Sequence, residues 1–319
     1  MTRSVILSTG SYLPEKVVTN SDLEKSLETS DIWIRERTGI TQRHIAAEAE
    51  YTSHLATKAA RKALAKSSIR PEIIDVVLVA TATPDETFPG CSARVQQALG
   101  CMQSAAFDMQ AACSGFVYAM TVADSMIKAE TAKNVLVIGA ETMSRVVDWN
   151  DRKTAILFGD GAGAVILSAE NESSRGVLAT HWAANGAYAD LLHTTGGISS
   201  SKTAGFLQME GKEVFRHAVE CMTESSLCVL DRARIDPDQV KWVVPHQANA
   251  RILSATAKKL GIDESRVIMT VSQHANTSSA SIPLALDHAA TQGKIKSGDL
   301  VLLTALGAGF TWGSVLIRW

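Results

Sequence analysis

The chain contains a second, diverged copy of itself. ALAKSSIRPEIIDVVLVATA (63 to 82) resembles VLDRARIDPDQVKWVVPHQA (229 to 248). In each, a helical run ends, passes an Ile-x-Pro turn and enters a β-branched strand, and Ile69 and Pro71 match Ile235 and Pro237 at a shift of 166 residues. NVLVIGAE (134 to 141) matches DLVLLTAL (299 to 306) at a shift of 165. Two separate matches at nearly one offset indicate duplication. The expected halves are 1 to 172 and 173 to 319, joined by the polar stretch SAENESSRG (168 to 176). Within each, short runs such as VVLVAT and VLVIGA alternate with amphipathic stretches such as SHLATKAARKALAKS (53 to 67). That alternation predicts an α/β chain with helices packed on sheets, here two related halves stacked in layers.

Bulk properties exclude several functions. With 46% hydrophobic and 20% charged residues, the 319-residue chain is globular and long enough for a large core. A net charge of -2 argues against a general nucleic-acid binder. The apolar stretch before Gly10 and Pro14 is too short for a signal-peptide core, and no run approaches the ~20 residues of a membrane span, so a cytoplasmic location is expected. Five cysteines form no C-x-x-C pair and have no histidine at metal-ligand spacing, which suggests neither a zinc site nor a disulfide framework. Cys221 and Cys228, seven apart on a helical pattern, read as one buried stripe.

Cys113 is different. It follows the strand-like SAAFDM (104 to 109) and opens the apolar run of AACSGFVYAM (111 to 120), a strand-turn-helix junction. A helix start favours an anion by ~0.3 to 1 kcal/mol, so the dipole alone is expected to lower the thiol from ~8.5 by about one unit and give partial thiolate at neutral pH. A shift near 163 carries Cys113 onto Asn276 in HANTSSASIPLAL, and the strand VKWVVP ends at His246 where the first half has Ala80. A lone cysteine, a strand-end histidine and a turn asparagine each have an ordinary structural explanation. Their joint placement at element ends favours a shared site. His246 and Asn276 could donate two hydrogen bonds to one oxygen, as an enolate formed by loss of carbon dioxide requires. His274 is the rival histidine but lies inside a turn.

Two glycine-rich stretches need a reading. LFGDGAGAVIL (157 to 167) nominally fits a dinucleotide fingerprint, but a strand-like run follows it and it is expected to be a turn between strands. LGAGFTWGSVLI (306 to 317) follows a strand and could bring backbone amides near the thiol.

Taken in order, AACSGF, GDGAGA, PHQAN, ANTSSASIP and GAGFTWGS resemble the β-ketoacyl-acyl-carrier-protein synthase III enzymes of the thiolase-like fold, over essentially the whole chain. The resemblance implies a layered αβαβα fold, acylation of Cys113 by acyl-CoA, and decarboxylation of malonyl-acyl-carrier protein promoted by His246 and Asn276. It places the oxyanion hole at Cys113 and the Gly307, Ala308, Gly309 loop. CoA and its pantetheine arm would meet Trp33, Arg37, Arg152, Gly211, Phe215 and Asn249. Phe88 would reach across a homodimer into the partner's acyl pocket, and Leu306 stands where the family often has phenylalanine. An acidic carrier protein needs a basic face; Arg251, Lys258 and Lys259, with Arg216, supply one. No metal or other cofactor is implied, acyl-CoA being a substrate. Ala308 interrupts the family's glycine run, and Lys153 replaces a small residue beside Arg152. Two alternatives stay open: a related synthase of a polyketide or quinolone pathway, and a cysteine-dependent thioester hydrolase with His246 as general base.

Overall fold

A computed structural model describes residues 2 to 319. The strands in chain order are β1 (Thr2–Tyr12), β2 (Lys16–Thr19), β3 (Gln42–Ile45), β4 (Val76–Ala80), β5 (Ala105–Met109), β6 (Asn134–Thr142) and β7 (Asp160–Asn171). They continue as β8 (Gly176–Ala184), β9 (Leu192–Thr194), β10 (Leu207–Met209), β11 (Trp242–Pro245), β12 (Leu300–Gly307) and β13 (Thr311–Arg318). One sheet has the order β1-β7-β6-β4-β5 and the other β11-β12-β13-β8. The orders correspond. In each, a parallel pair (β4 with β6, β11 with β12) is followed by two antiparallel neighbours. The counterpart of β5 in the second sheet is reduced to a single bridge between Val243 and Val267.

Between the sheets lie two helices, Gly115–Lys128 and Ser281–Thr291. Both are apolar on most of their circumference, as a helix covered on both sides must be. Phe116, Val117 and Met120 of one, with Ile282, Ala285 and Leu286 of the other, share a core with Leu78 and Val137 of the first sheet and Val244 and Leu303 of the second. The outer faces are covered by helix Thr52–Lys66, which buries Leu55, Ala56 and Ala59 against the first sheet, and by helix Gly211–Ala233, which buries Val229 and Leu230 against the second. The result is the five-layered αβαβα arrangement of thiolase-like proteins.

Three sequence expectations change. The GDGAGA stretch is not a turn: from Asp160 on it forms the first half of β7. Its glycines let a helix approach the strand closely: a Cβ on Gly163 would stand 2.6 Å from Leu284 N. Cys221 and Cys228 are partly exposed rather than buried. The buried side of their helix runs through Val214, Ala218, Met222 and Val229, so both sulfurs sit on its flank. Finally, the offset between the halves is 166 at the site as well. Ala112 and Ser278, that distance apart, are both non-glycine residues in the left-handed region, with φ of 45° and 49°. Cys113 therefore matches Ser279, and Asn276 matches Gln110. The expected 163-residue pairing of Cys113 with Asn276 is replaced by a neighbourhood in space.

Candidate active site

After β5, the turn Ala112–Ser114 leads directly into helix Gly115–Lys128 and carries Cys113. The hydroxyls of Ser114 and Thr311 both reach the Ala111 carbonyl, at 2.8 and 3.0 Å, and tie this elbow to β13. Gly307 allows the end of β12 to lie against it, since a Cβ there would be 2.7 Å from Cys113 N. Cys113 is buried, and burial pushes its thiol up to about 12; the Ser278 hydroxyl pulls the other way and the Glu141 carboxylate adds to the rise. The expected partial thiolate is thus corrected. Removing a thiolate from water costs more than the helix dipole returns, and the resting thiol stays protonated at neutral pH.

His246 directly follows β11, and its backbone N–H donates to the Thr304 carbonyl at 2.8 Å. Its Nδ1 lies 2.6 Å from Ser281 Oγ, which also accepts the Gln247 N–H at 3.2 Å. Among the described residues Ser281 Oγ has no other acceptor for its proton, so that proton goes to Nδ1, and the network assigns the ring proton to Nε2. Burial drives the imidazole down to about 3, so the ring is a neutral donor across the physiological range. Gln247 holds this strand end in place: its amide donates to the carbonyls of Pro245 and Ile268 and accepts the N–H groups of Thr270 and Val271.

Asn276 is fixed from three sides. Its N–H donates to Leu157 O at 2.9 Å and its carbonyl accepts Gly159 N–H at 3.0 Å. The side-chain oxygen accepts Ser278 N–H at 2.9 Å. That bond settles the amide orientation and leaves Nδ2 as the outward donor. Cys113, His246 and Asn276 all line one cavity of about 500 Å³. Apolar side chains including Met143, Leu157, Leu192 and Leu207 form much of its wall, a composition suited to an acyl chain.

The other predicted residues divide by location. Gly211, Phe215, Asn249, Leu306, Ala308 and Gly309 line the cavity. Asn249 also caps helix Ala250–Leu260 through Arg251 N–H and donates to Arg37 O. Trp33, Arg37 and Arg152 form a separate stack, with the guanidinium of Arg152 5.0 Å and that of Arg37 5.8 Å from the Trp33 ring. Arg251, Lys258 and Lys259 are exposed on helix Ala250–Leu260, and Arg216 is exposed on the neighbouring helix in an ion pair with Glu213. Phe88 is 82% exposed and does not line this chain's own cavity. His274 lies outside the cavity lining, ending the short helix Val271–His274.

Three residues that support this site escaped sequence reading: Ser281, Gln247 and Glu141. Only Glu141 left a trace, as a carboxylate inside an otherwise apolar strand. Among the described residues no group of three His, Cys, Asp or Glu side chains is placed to hold a metal ion. No helix among the described residues is long and apolar enough to cross a membrane.

Buried neutral histidines make stability depend on pH. His246 and His274 are driven down to about 3 and about 4, whereas the unfolded chain protonates both near ~6.5. Between these values the unfolded state binds more protons, so stability falls as pH drops from about 6.5 toward 4. Thermal unfolding should show Tm falling over that interval, and His274→Asn should flatten part of the slope. An equal slope in the variant would remove His274 from this account.

Residues 107–186 match the family model described as 3-Oxoacyl-[acyl-carrier-protein (ACP)] synthase III, and residues 230–319 match that described as its C terminal. The chain is 55% identical over 319 residues to the beta-ketoacyl-[acyl-carrier-protein] synthase III of Rhizorhabdus wittichii, covering 100% of both chains. Among solved structures it is similar to 3-oxoacyl-[acyl-carrier-protein] synthase III from Aquifex aeolicus, with 48% identity, a TM-score of 0.95, and coverage of 99% of this chain and 100% of that one. It is also similar, at 32% identity and a TM-score of 0.94, to the priming beta-ketosynthase of the R1128 polyketide pathway, covering 99% of this chain and 96% of that one. Fold and matches together define a condensing acyltransferase of thiolase-like build. The chain belongs to the β-ketoacyl-acyl-carrier-protein synthase III family, the condensing enzymes that initiate fatty-acid synthesis.

Proposed function

We propose that this enzyme condenses a short acyl-CoA, acetyl-CoA first among them, with malonyl-acyl-carrier protein through an acyl group on Cys113. The Cys113 sulfur attacks the thioester carbonyl, and CoA leaves as the thiol, carrying away the displaced proton. Malonyl-carrier protein then loses carbon dioxide, and its enolate oxygen is held by Nε2–H of His246 and Nδ2–H of Asn276. The enolate carbon attacks the acyl-cysteine, the new carbon–carbon bond forms, and the Cys113 sulfur is released and reprotonated. Amides of Cys113 and of the Gly307 to Gly309 segment serve as the oxyanion hole in both transfers.

One observation carries this reading: a neutral histidine and an amide of fixed orientation line the same cavity as the thiol. It also disfavours the hydrolase, because an imidazole at about 3 is a poor general base at neutral pH. Intact-mass measurement after exposure to a panel of acyl-CoAs tests it. The protein should gain one acetyl group and lose it to malonyl-carrier protein as 3-ketoacyl product. Free acid without condensed product would overturn the reading.

The Trp33, Arg37 and Arg152 stack is read as the CoA nucleotide clamp, where indole and guanidinium faces suit a flat base. Trp33→Ala should raise KM for acyl-CoA about 5- to 30-fold, equivalent to about 1 to 2 kcal/mol, with kcat nearly unchanged. A lower kcat at constant KM would count against a clamp. Arg216, Arg251, Lys258 and Lys259 are assigned to carrier-protein docking. Pairing of two copies across the outer edge of β5 is supported by that strand's open side and by Phe88 and Met102, 82% and 64% exposed. Phe88 would then complete the partner's acyl pocket. We read 1 to 172 and 173 to 319 as the duplicated units, and the location as cytoplasmic.

A further inference from the structure

Below the cavity lies a carboxylate that this chemistry does not use. Glu141, near the end of β6, is fully buried. On one side its oxygens accept the Ala82 N–H at 3.1 and 3.2 Å, Thr83 Oγ1 at 2.5 Å and Thr81 Oγ1 at 3.2 Å. On the other lie Ser278 Oγ at 3.0 Å, the Ser279 N–H at 3.4 Å and Ser279 Oγ at 2.7 Å, whose single proton is shared between Glu141 and the Ala80 carbonyl 2.8 Å away. The first group follows β4 in the first half of the chain. The second belongs to the turn between Asn276 and helix Ser281–Thr291 in the second half. None of these partners is a cation. A buried carboxylate without one is costly, and an apolar side chain would serve packing better.

The bonds converge on the reacting groups. Ser278, held by Glu141, donates its N–H to the Asn276 side-chain oxygen. Ser279 sits under the cysteine elbow, where a Cβ on Gly115 would meet its side chain at 3.5 Å. Thr83 and Ser278 both line the cavity.

We propose that Glu141 is a positioning residue for the condensation: it clasps the Thr81–Thr83 segment to the Ser278–Ser279 turn and thereby fixes Asn276 against Cys113 across the junction of the halves. The inference rests on the assignment of Cys113 and Asn276 made above. Burial raises the Glu141 carboxyl above its ordinary range, and the bonds from Thr83, Ser279, Ala82 and Ser278 pull it back; in its ionised form it also opposes ionisation of the Cys113 thiol, which supplies a second handle.

The test uses the full-length enzyme and three substitutions, Glu141→Ala, Glu141→Gln and Glu141→Asp. Steady-state kinetics and thermal unfolding are followed beside the pH dependence of Cys113 alkylation by iodoacetamide. Glu141→Ala should lower kcat about 30-fold or more, with KM for acyl-CoA within about twofold, because a misplaced donor costs turnover rather than binding. Glu141→Gln, which keeps the reach but not the charge, should move the alkylation profile to lower pH by about half a unit or more. Glu141→Asp should recover about tenfold of the lost kcat and keep the wild-type profile. A folded Glu141→Ala enzyme with wild-type kcat, or one whose KM for acyl-CoA rises in step with the lost kcat, overturns the proposal, and a wild-type alkylation profile in Glu141→Gln counts against it too. If Glu141→Ala does not fold, Ser279→Ala must lower kcat at unchanged KM; wild-type turnover there is equally fatal. Alkylation is read without turnover, so wild-type enzyme that fails to take an acetyl group would indict the Cys113 assignment separately.

Discussion

Cys113→Ala should abolish the acetyl mass increment and lower condensation on the order of 10³-fold or more. The size of the effect follows from the cavity: Cys113 is the one cysteine in its lining, while Cys91, Cys101, Cys221 and Cys228 lie elsewhere. No neighbouring thiol can take over. The substitution removes a single buried atom beyond Cβ, so Tm should change little. His246 and Asn276 are untouched by it, and loss of carbon dioxide from malonyl-carrier protein should continue without product. Intact mass and release of labelled carbon dioxide read the two halves of the reaction separately. Acylation of the alanine variant at the wild-type rate would remove Cys113 from the mechanism.

Asn276→Ala should show the opposite division. Acetylation of Cys113 persists, and the condensation step falls about 10²- to 10³-fold, the usual loss for one donor to a developing oxyanion. Asn276→Asp should be worse than alanine, because a carboxylate facing an enolate repels the charge that the amide was placed to hold. A hydrolase would tolerate that change. His246 makes a further point about pH: an imidazole that stays neutral down to about 3 gives the condensation step no acid limb between pH 5 and 8. A histidine-like pKa in the rate profile of malonyl-carrier-protein decarboxylation would show that His246 changes charge during turnover.

The duplication and its motifs made the layered fold legible, because strand pattern and offset are local properties of the chain. The same holds for Cys113, His246 and Asn276, each at an element end. What stayed hidden depends on packing. DGAGA is a strand held between β1 and β6, with glycines that admit a helix from later in the chain, and no local pattern reports those neighbours. The state of the thiol could not be read either, since the dipole is a property of the helix start but burial is a property of everything around it. Ser281 and Gln247 are ordinary polar residues whose importance appears only when their partners are placed. Glu141 is the intermediate case: visible as an oddity, unreadable without the hydroxyls that surround it.

The twin kinks at Ala112 and Ser278 carry a consequence for ancestry. When the halves were still identical, each would have presented the same bent segment toward the other, giving a symmetrical pair of facing walls. Divergence could then assign attack to one wall and charge stabilisation to the other by exchanging side chains alone, with no rebuilding of the backbone. On the proposed assignment, attack and charge stabilisation would be divided between the two bends.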